Sequence, residues 1–170
     1  NYADYALGLF IDELKQNGVW DNSLIVLYGD HRGLPIFSLK DDDRVLMQEI
    51  LGHEYAERDL INIPLIISST GVTTSSVMNQ LGGQVDILPT VSNLLGISLD
   101  KQIHFGQDIL NQTTYNLLPQ RYYLPAGSFV NNEELFLSGS GFEDGQHSTL
   151  TGDGVQAFTA TENEFDRALE

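Results

Sequence analysis

The sequence predicts an α/β body followed by a small antiparallel sheet. Two apolar runs of strand length lack alternation, the pattern of strands buried on both faces in a helix-covered, parallel sheet. Amphipathic helical stripes lie between and around them. After Asp100 the pattern changes to short strand-like runs separated by tight turns.

Leu7, Phe10, Ile11 and Leu14 recur at three and four residues, which predicts a helix over Asp4 to Gln16 stopped by Asn17-Gly18. Asp21-Asn22 is a turn, and Ser23 to Tyr28 is the first buried strand. It runs into Gly29-Asp30-His31-Arg32-Gly33. Asp41-Asp42-Asp43 reads as an irregular acidic stretch before a helix from Arg44 to Leu51, with Val45, Leu46, Ile50 and Leu51 as its stripe. Ile63 to Ser68 is the second buried strand, with Pro64 near its start, where no ladder donor is missed. Ser69 to Ser76 is polar loop. A helix over Val85 to Leu95 follows Gly82-Gly83 and stops at Gly96. Asp86 stands at its start, where a carboxylate meets unpaired backbone N–H groups, and reads as structural. Pro89 falls in its first turn, which tolerates it. Gln120 to Leu124, Gly127 to Val130 and Glu134 to Ser138 are short strands, with Asn131-Asn132 as one turn. The change of architecture is read between Asn111 and Pro119.

Composition narrows the function. The chain has 170 residues, the size of one domain, and 41% are apolar, enough for a core. Eight bases against 24 acids give a net charge of −16 with no basic stripe, which excludes nucleic acid and a polybasic membrane-surface role. The absence of cysteine excludes disulfides, thiolate metal sites and cysteine nucleophiles. No apolar run approaches the roughly 20 residues of a membrane-spanning helix. The chain opens at Asn1-Tyr2-Ala3-Asp4 directly in a helical pattern, with no signal peptide, and a fragment is the expectation. From Glu133 onward nine acids face one base (1 − 9 = −8), and the preceding residues carry seven bases and 15 acids (7 − 15 = −8). This denser tail, with Ser138-Gly139-Ser140-Gly141 and Thr149-Leu150-Thr151-Gly152-Asp153-Gly154, reads as a solvated or partly mobile end. Asp144 and Asp153 lack the regular spacing of a calcium loop.

The candidate for chemistry is Asp30-His31. In α/β sheets ligands bind beyond the carboxyl ends of strands, and these two residues stand there between glycines that let the backbone turn sharply. A carboxylate and an imidazole are good ligands for Zn²⁺ or Mn²⁺. The same pair equally reads as a turn aspartate beside a satisfied histidine. His53-Glu54 reads as a solvated pair, His104 as packed and hydrogen-bonded among apolar neighbours, and His147 as part of the flexible tail. No Gly-x-Ser-x-Gly elbow, P-loop or Gly-x-Gly-x-x-Gly occurs.

Several segments in order resemble the carboxyl-terminal part of the sulfatase/alkaline-phosphatase superfamily, in particular its lipoteichoic acid synthase and phosphoglycerol transferase branch. They are Tyr2 to Gly8 with the helix through Leu14, Asp21-Asn22-Ser23, the strand Leu24 to Tyr28 and Gly29-Asp30-His31. Pro64 to Ile67, Gly83 to Thr90, Leu94 to Ile97 and Phe105 to Asp108 complete the match, which covers residues 2 to 110 and fades from Asn111.

The resemblance implies that residues 1–110 are the C-terminal portion of a sulfatase-like catalytic body, with residues 111–170 a small antiparallel meander and acidic tail. It implies that Asp30 and His31 are metal ligands. It places no catalytic nucleophile in this chain: a threonine, the other acidic ligand and a substrate-binding histidine and arginine are expected upstream. The implied cofactor is a divalent metal, manganese in this branch, in the full-length enzyme and absent from the fragment. The implied reaction transfers phosphoglycerol from phosphatidylglycerol to a growing polymer at the extracellular face of the cell membrane. A sulfuric- or phosphoric-ester hydrolase and a non-catalytic envelope domain are the alternatives. Arg32 stands where lipoteichoic acid synthases usually carry an aromatic residue, and Leu34 to Asp43 lacks the Ser-Glu-Asn-His run that often follows, which leaves the substrate open. The isolated chain is expected to be soluble, inactive and prone to self-association through an uncovered apolar face.

Overall fold

Helix α1 (Tyr2–Gln16) forms on the expected stripe and closes at Gly18, whose φ of 67° is the left-handed turn that glycine adopts without strain. A computed structural model describes residues 2–72, 74–111, 115–150 and 159–170. No residue of α1 is buried, and Tyr5, Leu9 and Phe10 are more than half exposed. Lys15 Nζ lies 5.2 Å above the Trp20 ring, a cation–π contact at the helix end.

Strand β1 (Leu24–Tyr28) pairs with β2 (Leu65–Ser69). The pairing is antiparallel, with Leu24 opposite Ser69 and Tyr28 opposite Leu65, which corrects the parallel arrangement inferred from the unalternating runs. Such runs report apolar faces and carry no information about direction. The strands are only partly buried, with Ile66 at 55% exposure. Between them lie α2 (Asp41–Leu51) and α3 (Glu57–Ile61). Helix α2 begins three residues earlier than read, because the three aspartates form its first turn and the Asp43 carboxylate accepts from Lys40 N at 3.0 Å. Helix α3 is too short for periodicity to have shown it.

The chain divides into two compact units, Asn1–Val77 and Met78–Glu170. In the second unit α4 (Ile87–Leu94) follows a helical turn at Gln84–Asp86. Asp86 is fully buried, and its Oδ2 accepts from Gly83 N at 2.8 Å and Asn116 Nδ2 at 3.2 Å while Oδ1 accepts from Gln107 N at 2.8 Å. Its structural reading stands: three donors offset the cost of burying a carboxylate. Strands β3 (Leu118–Gln120), β4 (Ser128–Val130), β5 (Glu134–Leu137) and β6 (Gln146–Thr149) form one antiparallel sheet in sequence order. Pro119 is tolerated because β3 is an edge strand. The first of these strands lies earlier than Gln120 to Leu124, and Tyr122 in that stretch takes a φ of 68° that breaks extended structure. Asn131 makes the expected turn, its Oδ1 accepting from Glu133 N and Glu134 N at 2.9 Å each.

Part of the stretch read as a solvated or mobile tail is core. Glu134, Leu135 and Phe136 are buried, β6 adds a polar strand, and α5 (Glu162–Leu169) packs Ala168 and Phe165 against Phe129, Phe136 and Phe142. Asp144 serves a local turn, accepting from Ser140 N at 3.0 Å and Gly141 N at 2.9 Å; Asp153, weighed with it as a calcium ligand, lies outside the described residues. Among the described residues no helix is long and apolar enough to cross a membrane.

Glu164 is 7% exposed at the start of α5. Burial pushes its carboxyl up, but hydrogen bonds from Tyr115, Thr161 and Asn131 outweigh this and hold it below its ordinary value of 4.5. The unfolded chain therefore takes up a proton first as pH falls, so the stability from this group is present above pH 4.5 and is lost as pH falls through the lowered value. We expect Glu164→Gln to lower the urea midpoint at pH 7 and to flatten its decline in acid. A variant with the parent's acid slope would disprove the assignment. Phe136→Ala empties the centre of the aromatic cluster and should cost about 3–5 kcal/mol by denaturant unfolding; a loss below ~1 kcal/mol would show the cluster is not the core.

Candidate functional site

The ladder between β1 and β2 continues one residue past Tyr28, where Gly29 N donates to Pro64 O at 3.0 Å. A side chain at position 29 would place its Cβ 3.0 Å from Ile63 Cβ, a tight contact that glycine avoids. The chain then turns outward over residues 30–32. It returns at Gly33, whose N–H donates to Leu60 O at 2.7 Å, and at Leu34, whose carbonyl accepts from the Tyr55 hydroxyl at 3.0 Å. Tyr55 is 8% exposed. Burial, then the charges of Asp59 and Glu57, push its phenol above the ordinary 10.0, so at neutral pH it is a donor.

On the outward span Asp30 and His31 are brought together. Asp30 Oδ1 and His31 Nε2 stand 3.7 Å apart, with side chains 87% and 84% exposed. His31 Nδ1 lies 2.6 Å from Arg32 O. A carbonyl only accepts, so Nδ1 carries the proton and in the neutral ring Nε2 presents its lone pair. A carboxylate oxygen and an imidazole lone pair thus face the same space, the polarity a cation requires. At the usual ~2.1 Å metal–ligand lengths two ligand atoms on one ion stand roughly 3–3.5 Å apart, close to the spacing here. The donor chemistry fits a divalent metal such as Mn²⁺ or Zn²⁺. Among the described residues no group of three or more His, Asp or Glu side chains is placed to hold a metal.

The other histidines are elsewhere and differ from their sequence readings. His53 does not form a solvated pair with Glu54; its Nε2 lies 2.9 Å from Asp59 Oδ1. Asp59 also accepts from Ala56 N at 2.8 Å, so His53 is tied to the start of α3. His104 is exposed rather than packed, and its neighbours Ile103 and Phe105 are 95% and 78% exposed. His147 is no tail residue: it lies on β6, its Nδ1 2.8 Å from the buried Glu134 carboxylate and its ring edge-on to Phe136. Tyr55, Leu60 and Asp59 escaped the sequence reading. The one clue was Gly33, a second glycine closing the turn, which marks close approach by something without naming it.

The sulfatase family profile matches residues 1–97, more than half of the chain. The chain is a member of the sulfatase family. This sulfatase-family chain is 38% identical to lipoteichoic acid synthase 1 of Bacillus subtilis (strain 168) over 114 residues, 65% of its length and 17% of that protein. It is 28% identical to lipoteichoic acid synthase of Staphylococcus aureus (strain USA300) over 153 residues, 88% of its length and 22% of that protein. It therefore spans about a fifth of the curated relatives' length. The crystal structure of the lipoteichoic acid synthase LtaP from Listeria monocytogenes superposes on it with a TM-score of 0.81 at 33% identity, covering 99% of this chain and 41% of that one.

The hydrogen-bond geometry makes a prediction of its own. In ¹⁵N spectra above its titration, neutral His31 should show the Nδ1-protonated tautomer, which is the minor form of free histidine. A dominant Nε2-protonated ring would contradict the orientation of the lone pair.

Proposed function

We propose that this chain supplies part of the metal centre of a phosphoglycerol transferase of the lipoteichoic acid synthase type, with Asp30 and His31 as its metal ligands. The observation that carries the reading is the pairing of two acceptor atoms, Asp30 Oδ1 and His31 Nε2, on a loop fastened at both ends. It is supported by relatives and a solved structure that bear the name lipoteichoic acid synthase. A bound divalent cation, manganese in this reading, supplies Lewis-acid stabilisation of charge on a phosphoryl group and lowers the pKa of an attacking hydroxyl.

The chain's own residues do the holding. Asp30 contributes a negative charge and His31 a nitrogen, and the Arg32 carbonyl selects the tautomer of the neutral ring in which Nε2 carries the lone pair. Exposure of both side chains leaves them open to ligands from another part of the polypeptide, where the threonine nucleophile and the remaining acidic ligand belong. The substrate in this reading is a phosphatidylglycerol-type phosphodiester at the extracellular face of the cell membrane.

The test uses the full-length enzyme that contains this chain. Asp30→Ala and His31→Ala should each weaken Mn²⁺ binding by at least ~100-fold in calorimetric titration and abolish release of diacylglycerol from phosphatidylglycerol. Parent-like Mn²⁺ affinity in His31→Ala would remove the metal assignment. Turnover of aryl sulfates with none of phosphatidylglycerol would replace the transferase with an ester hydrolase.

A further inference from the structure

We propose that Tyr55 is a positioning residue for Asp30 and His31, acting through Gly33 and Leu34; this rests on the reading of that pair as metal ligands. The two candidate ligands lie on a span of three residues, 30–32, between anchored glycines. Its leading end is part of the strand ladder, through Gly29 N and Pro64 O. Its trailing end is set by α3 and the residues before it: Leu60 O receives Gly33 N, and the Tyr55 hydroxyl donates to Leu34 O. So short a span takes the course of its backbone from its two ends, and His31 is oriented within it by the Arg32 carbonyl.

The phenol fixes the trailing end in two ways. It donates one hydrogen bond, and it fills the space beside the Gly33 backbone. A Cβ built on residue 33 would stand 2.6 Å from the Tyr55 oxygen, while the next atoms, Leu60 O and Asp59 O, are 3.5 and 3.6 Å away. Gly33 has no positive φ, so its backbone conformation does not demand glycine. What demands it is the hydroxyl. Residue 33 and Tyr55 are thus matched: a bare α-carbon on one side and an oxygen on the other, in contact across 22 residues of sequence. Tyr55 is itself held, because it sits between His53 and Ala56, both of which bond to Asp59. The ring could fill this space without its oxygen, so a phenol is needed only if the loop end must be held in place.

The test is a double-mutant cycle in the full-length enzyme, read by Mn²⁺ titration with electron paramagnetic resonance alongside urea unfolding. Tyr55→Phe keeps the ring and removes the oxygen. It should weaken Mn²⁺ binding about tenfold and leave the urea midpoint nearly unchanged. Gly33→Ala should also weaken binding, since its methyl meets the phenol. The double variant should bind Mn²⁺ more tightly than Gly33→Ala alone, because the Cβ then has no neighbour nearer than ordinary contact. Parent-like Mn²⁺ affinity in Tyr55→Phe overturns the proposal, and does so even if Gly33→Ala fails to fold. Strictly multiplicative losses in the double variant overturn it as well. His31→Ala separates the two levels: lost binding there with an unaffected Tyr55→Phe sinks the positioning role alone, and unchanged binding there sinks the metal reading and this inference with it.

Discussion

A helix begins with backbone N–H groups that have no partner within it, and four helical starts among the described residues meet that constraint with one device. The carboxylate three residues into each start reaches back to the first backbone N–H: Asp43 to Lys40, Asp59 to Ala56, Asp86 to Gly83 and Glu164 to Thr161. Lysine, alanine and glycine have no side-chain acceptor, so at three of the four starts the carboxylate does this unaided. Its negative charge also suits the positive end of the short helix. Asp86 and Glu164 go further and gather side chains and backbone from distant segments while buried. Asp59 does the same for His53, and through it the start of α3 is set, on which the trailing end of the Asp30–His31 loop hangs. Part of the −16 charge is therefore internal framework rather than solvated surface.

The legible parts of the fold are those with periodic apolar residues. Helix α1, strands β1 and β2 and helix α4 lie within a few residues of where their stripes place them. Strand direction was not legible, because a run such as Leu24 to Tyr28 is apolar on both faces whichever way its neighbour runs. Helix α5 was missed because Phe165 and Ala168 are a sparse stripe among acids, and β6 because Gln146 to Thr149 is polar throughout. Those acids made the tail read as solvated, although the aromatic residues beside them, Phe136 and Phe142, required a core.

The candidate site was half legible for a related reason. Asp30 and His31 are adjacent, follow a strand and lie between glycines, all of which is local information. Tyr55 is 21 residues from the carbonyl it binds, with no motif spacing to connect them. His53 chose Asp59, six residues on, over the adjacent Glu54, since only Asp59 already stood fixed at a helix start.

The pairing of β1 and β2 also makes the site depend on a long-range closure. All of residues 29–64 intervene between the two strands, so the ladder forms only after a long loop has closed, and closing it costs entropy before any rung rewards it. Gly29 joins Pro64 at the end of that ladder, and the outward span begins there. Asp30 and His31, next to each other in sequence, therefore take their place from a ladder closed across residues 29–64. The dipeptide alone does not set the geometry of the pair, which depends on β2 as much as on β1.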